Sequence, residues 1–159
     1  RLGRPPTFHY EFAEKPLVTP FVPPESNRFE TEYDWPPLAQ SGGYAIPFWP
    51  GCASQQRGLV AIPSASSVEA TIDLPVMTSG RYAITPHVVD RAGRADGRLS
   101  LEDEKGAVLA TWDWHDGSEE VCRALEKREL ALQAGSHPLV LRGTGGEIAL
   151  DAVDVVPLR

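Results

Sequence analysis

The segment Val68-Glu69-Ala70-Thr71-Ile72-Asp73-Leu74-Pro75, with Gly80-Arg81-Tyr82-Ala83-Ile84-Thr85 a few residues on, decides the fold class of this chain. In an extended backbone successive side chains point to opposite faces. Val68, Ala70, Ile72 and Leu74 therefore share one apolar face, while Glu69, Thr71 and Asp73 face the other way. Beyond the turn at Gly80, Tyr82 and Ile84 repeat the pattern against Arg81, Ala83 and Thr85. A period of two on both sides of a glycine turn predicts consecutive antiparallel strands, each with one face in a core.

The same signal continues outward in both directions. Leu99 with Leu101, Val108 with Ala110, Leu130 with Leu132, and Leu139 with Leu141 alternate with polar residues, and Lys105-Gly106 and Ala134-Gly135-Ser136 read as turns. Asp90–Gly97 and Gly42–Gly58 read as loops. The last run, Glu147–Val156, changes phase: Ile148 and Leu150 share one face, but Val153 and Val155 have the other parity. A β-bulge near Asp151 accounts for that slip. Ser118–Leu132 is rich in helix-forming residues, so a short helix over Glu119–Glu126 competes with extended structure there; Lys127–Leu132 reads as a strand. Together these segments predict an all-β antiparallel β-sandwich.

The chain has 159 residues, 42% of them hydrophobic, enough for one well-formed core. Ten of its 15 prolines fall within the first fifty residues. X-Pro steps disfavour helix, so residues 1–27 are expected to be an extended strap or linker ahead of a sandwich domain over 28–159. Within the strap, Phe8, Tyr10 and Phe12 alternate with His9 and Glu11, an apolar face that needs covering. The opening at Arg1 without methionine suggests a processed or excised form. With 22 acidic against 15 basic side chains the formal net charge is -7, so nucleic acid would meet a repulsive average field. No apolar run is long enough to predict insertion into a membrane. The two cysteines, Cys52 and Cys122, lie far apart in sequence and have neither zinc nor redox-pair spacing; one disulfide in an oxidising compartment and two buried thiols are both open.

The segments also resemble, in their order and residues, the galactose-binding-like (jelly-roll) carbohydrate-binding modules of families 6 and 35 and the related malectin-like domains. Phe29-Glu30-Thr31-Glu32-Tyr33 looks like their first-strand Glu-x-Glu, and Val68–Leu74 with Gly80-Arg81-Tyr82 is similar to their strand, Gly-x-Tyr, strand passage. Ala134-Gly135-Ser136-His137 with Leu139 and Leu141 resembles the penultimate hairpin, and Ile148-Ala149-Leu150-Asp151-Ala152-Val153 the closing strand. The likeness covers about residues 28–158; the Pro-rich start and the Gly42–Gly58 stretch depart from it.

The resemblance implies a structural calcium held by Glu30, Glu32 and Asp151. Two carboxylates two positions apart on a strand share a face, and a hard cation takes six to eight oxygens; ion pairing to Arg28 or Arg57 is the competing expectation. It further implies a glycan site using Tyr44 or Trp49 from an early loop, Trp114 after a late strand, and Glu147 before the last strand, where the families commonly carry Asn. A sugar ring has an apolar C–H face that packs on an aromatic ring and hydroxyls that need polar partners. Trp112, in phase with Val108 and Ala110, belongs to the core, and Phe48 and Trp49, beside Pro47 and Pro50, have packing as their alternative role.

No catalytic constellation is visible. Ser66-Ser67 lacks a nucleophile elbow, the four histidines form no metal pair, His87 reads as an outward contact residue, and Asp113-Trp114-His115-Asp116 as turn chemistry. The expectation is thus a non-catalytic, extracellular or periplasmic module of a larger carbohydrate-active protein that binds a glycan or polysaccharide. The alternative is a structural sandwich packing against a catalytic domain or partner subunit without binding sugar.

Overall fold

The computed structural model describes residues 27–30, 39–48, 51–53, 58–63, 67–90, 97–114 and 119–159. The aromatic strap at Phe8–Phe12, with Glu32, Trp49 and His115, lies outside the described residues. Twelve strands and no helix make up the described chain. The first six are β1 (Asn27–Glu30), β2 (Ala39–Ser41), β3 (Gly43–Phe48), β4 (Gly58–Pro63), β5 (Ser67–Val76) and β6 (Gly80–Asp90). They are followed by β7 (Gly97–Asp103), β8 (Val108–Trp114), β9 (Val121–Ala124), β10 (Arg128–Leu132), β11 (Gly135–Gly145) and β12 (Ile148–Leu158).

Two antiparallel sheets form the sandwich. The larger runs β10-β6-β12-β4-β3, with β1 added to β12 and β9 to β6; the smaller runs β2-β5-β11-β7-β8. The deciding segment, β5 and β6, is split between the two layers: the strands follow one another in sequence but pair in different sheets. Ile72 and Leu74 from β5 and Tyr82, Ile84 and Val88 from β6 are buried in the shared core with Phe29 and Leu101. Each such side chain contributes roughly 1.5–3 kcal/mol through the apolar area it removes from water. Trp112 is in this core, as its phase requires, and its indole Nε1 donates to the Glu126 carbonyl at 2.7 Å, which satisfies the polar tip of a buried tryptophan.

The bulge falls at Asp151. Leu150 pairs with Val88 and Ala152 with His87, so one residue of β12 is left over between them. Ile148 and Leu150 face the core before it, and Val153 and Val155 after it. The same residue marks a change of neighbour, since Ile148–Leu150 pair with β4 and Ala152–Val155 with β1. One inserted residue lets a single strand serve two partners on one side.

Three sequence expectations need correction. The Gly42–Gly58 stretch is not one loop, because Gly43–Phe48 is strand β3, paired with β4 over its whole length. Pro47 concealed it; among the described residues β3 has β4 as its one neighbour in the sheet path, and an edge tolerates a residue that cannot donate to a ladder. Within Glu119–Glu126 the chain is strand, since Val121–Ala124 pair with His87–Asp90 and Arg123 holds Asp90 at 2.8 Å. Tertiary pairing overrides helix propensity here. Val108 has the sequence phase of Ala110 but is 58% exposed, because the ladder slips between them: Leu101 pairs with Ala110 and Glu102 with Val108, and the extra residue Leu109 turns Val108 to the face of Glu102.

Cys52 and Cys122 are joined by a disulfide with 5.7 Å between Cα atoms. Cys122 also packs on Ala53, Val89 and Ala149, a small cluster separate from the main core.

Candidate functional site

Register brings two of the residues predicted for sugar binding to one end of the molecule. Gly97, at the start of β7, lies opposite both Trp114, at the end of β8, and Gly145, at the end of β11. Three neighbouring positions in the smaller sheet therefore form a row with two glycines beside the tryptophan. Two strand spacings separate Trp114 from Gly145, about 10 Å. Gly145-Gly146-Glu147 then crosses to the other sheet, where β12 begins at Ile148. This crossing is tight, since a Cβ on Gly143 would lie 1.7 Å from Cδ1 of Ile148. The absence of a side chain at Gly143 thus leaves room for the Ile148 side chain where β12 begins, directly after the half-buried Glu147.

Tyr44 reaches the same end by another route. Ile148 pairs with Ala61 and Ala61 with Ala45, so Tyr44 and its partner Ile62 stand one step further towards that end. The chain crosses from β2 in the smaller sheet to β3 in the larger at Gly42, whose φ is 73° and where a Cβ would meet the Ser67 carbonyl oxygen at 2.3 Å. Only glycine accepts that conformation and that approach without strain. Tyr44 nonetheless lies on the β3 edge and Trp114 on the β8 edge, four strand spacings and a change of sheet apart, on the order of 20 Å. The register makes an end with aromatic positions at both sides and Glu147 between them, not one compact pocket.

The proposed calcium ligands are partly gathered. Glu30 is opposite Ala152, next to the bulged Asp151, and the two carboxylates are buried, with residue exposures of 8% and 5%. Among the described residues no group of three or more His, Cys, Asp or Glu side chains is assembled for a metal. Arg28, the expected rival, is turned to another acid: its guanidinium holds Asp154 through Nε at 2.6 Å and Nη2 at 2.8 Å. That hydrogen-bonded pair raises the Arg28 pKa, with the charges of Glu30 and Asp151 adding to it, and holds the Asp154 carboxyl below its ordinary range. His87 Nε2 lies 2.8 Å from the same carboxylate, so the outward histidine joins three strands rather than standing free.

One feature of the smaller sheet's outer face escaped the sequence. Arg142 of β11 grips Glu102 of β7 by Nε at 2.9 Å and Nη2 at 3.0 Å, reaches Glu69 of β5 with Nη1, and Ser100 donates to Glu102 at 3.0 Å. The hydrogen bond from Arg142, ahead of the one from Ser100, holds the buried Glu102 carboxyl below the usual carboxylate range. Each residue belongs to the polar half of an alternating strand, which says nothing about which strands become neighbours. At the Trp114 end the exposed pair Arg98–Asp113, 2.6 Å apart, flanks the glycine row.

In sequence, no family model and no curated protein matches the chain. Solved structures do share its fold. A carbohydrate-binding module from Cellvibrio mixtus lichenase 5A, in complex with cellotriose, is similar with a TM-score of 0.58 at 18% identity, over 84% of this chain and 98% of that one. A family 35 carbohydrate-binding module from Clostridium thermocellum gives a TM-score of 0.58 at 16% identity, over 82% of this chain and 98% of that one. Paenibacillus xanthan lyase gives 0.69 at 18% identity, matching 89% of this chain but 14% of the lyase. The fold is the galactose-binding-like β-sandwich of the family 6 and family 35 modules.

Proposed function

We propose that this chain is a non-catalytic carbohydrate-binding module of a larger carbohydrate-active protein, working outside the cytoplasm. The observation that carries the reading is the row Trp114, Gly97, Gly145 leading into Glu147. It provides an aromatic position beside side-chain-free backbone and a carboxylate, on a fold shared with solved carbohydrate-binding modules. Tyr44 extends the same end towards the β3 edge, so the arrangement suits an extended polysaccharide better than a single ring. The disulfide supports an oxidising compartment. A glycan array, with cellotriose and mannan or xylan affinity gels as first probes, tests the reading. Stacking on one ring buries enough apolar area that Trp114→Ala should weaken retention roughly ten-fold while the fold persists. Undiminished retention would remove Trp114 from the site.

A purely structural role is the second reading, favoured by the likeness to a small part of the much larger xanthan lyase. It predicts that no polysaccharide is retained by the wild type.

Calcium at Glu30 and Asp151, with Glu32 as a third carboxylate, belongs to the same proposal. The fit lies in two buried acids side by side at a bulge. An ion held only by the folded state stabilises it by about 2.7 kcal/mol at a hundred times its dissociation constant. EDTA should accordingly lower the melting temperature by several degrees, and added calcium should restore it. A melting curve indifferent to both removes the ion from the account.

A further inference from the structure

At the end of the sandwich away from Trp114, β11 runs further than its neighbour. Its pairing with β5 continues to Gly135 opposite Val76, whereas its pairing with β7 stops at Leu139 opposite Asp103. Where β7 would have continued alongside Gly135–Pro138 there is instead the mouth of a cavity of about 300 Å³. Leu132 and Leu139, both buried, and the half-open Leu109 give it apolar walls, and Lys105, Gln133 and His137 lie around it.

Three of its polar side chains, Asp103, Ser136 and His137, are already held in place. Asp103 Oδ1 accepts from the backbone N–H of Lys105 and of Ala107, both at 2.8 Å, which fixes the β7–β8 turn. His137 Nε2 donates to the Gln133 carbonyl at 2.6 Å across the β10–β11 turn, so in the neutral ring Nδ1 is the acceptor. Ser136 donates to Asp73. A ligand entering here would not have to order these groups, and that saving is what preorganisation contributes to affinity.

We infer that this cavity is a second sugar site, independent of the Trp114 end and taking one terminal sugar unit of a glycan. The inference rests on the reading of the chain as a carbohydrate-binding module. The volume stands at the lower limit for small-ligand sites. Apolar walls with fixed acceptors at the rim, and Lys105 and Gln133 beside them as donors, suit an amphipathic ring with hydroxyls at its periphery, and suit neither a fully charged nor a fully apolar ligand. Seven residues of β7 separate the two sites, about 20 Å, so one module can hold two glycan chains or two parts of one.

The test is an NMR titration of the 159-residue chain with cellotriose, mannotriose and xylotriose, following backbone amides. Two groups of shifts are expected, one at Gly97, Trp114 and Glu147 and one at Ala131–Leu139. Ala131→Trp, on an exposed position lining the cavity, should abolish the second group alone, and Trp114→Ala should weaken the first alone. Should Ala131→Trp unfold the chain, His137→Ala serves instead and should weaken the second group's apparent Kd about ten-fold. Shifts confined to the Trp114 end overturn the second site and leave the module reading standing. Second-group shifts that survive both cavity variants also overturn it, and no shifts with any trisaccharide, together with a blank glycan array, overturn both.

Discussion

Reducing the Cys52–Cys122 bond, or replacing both cysteines by alanine, should cost this chain about 4 kcal/mol of stability. The bond closes a loop of 70 residues, and in the chain-entropy account a loop of that size raises the free energy of the unfolded chain by roughly that amount. For a domain of this length the loss corresponds to a fall in melting temperature of about 10 °C or more. The effect should be global, because Cys122 sits on β9 and β9 is held to the sandwich by its four pairs with β6. Denaturant unfolding with and without a phosphine reductant measures it, and thiol titration confirms reduction. Equal midpoints for the oxidised and fully reduced chain would refute the assignment of the bond as a staple.

Phe29→Ala should be about as damaging, roughly 4 kcal/mol, the range for truncating a fully buried aromatic side chain. Phe29 is fully buried, and β1 is a strand of four residues with Phe29 as its one large core side chain. Its removal loosens the strand that carries Arg28 and Glu30, so the stabilisation by calcium proposed above should disappear along with the core contacts. Phe29→Leu, which keeps most of the volume, should lose far less and retain the response to EDTA. Urea unfolding of the three proteins in calcium and in EDTA separates the two contributions. A loss below about 1 kcal/mol for Phe29→Ala would mean that β1 does not anchor the sandwich.

Features that depend on local periodicity are legible along the chain. The period of two in β5 and β6, in β7 and in β10 identified strands and their core faces, and the parity change in β12 located the bulge at Asp151, because an inserted residue must invert the face of everything after it. Trp112 was legible as core for the same reason. Which strands become neighbours is not legible there, since pairing depends on contacts between residues far apart in the chain. Those contacts make β3 an edge strand despite Pro47, hold Val121–Ala124 extended against its helix-forming composition, bring Cys52 to Cys122, and set Arg142 between Glu102 and Glu69. They also put Trp114 in a row with Gly97 and Gly145 and leave a cavity where β7 ends short of β11. Alternation specifies a face, but a partner is specified only by register, and register is settled when both faces of the core are packed at once.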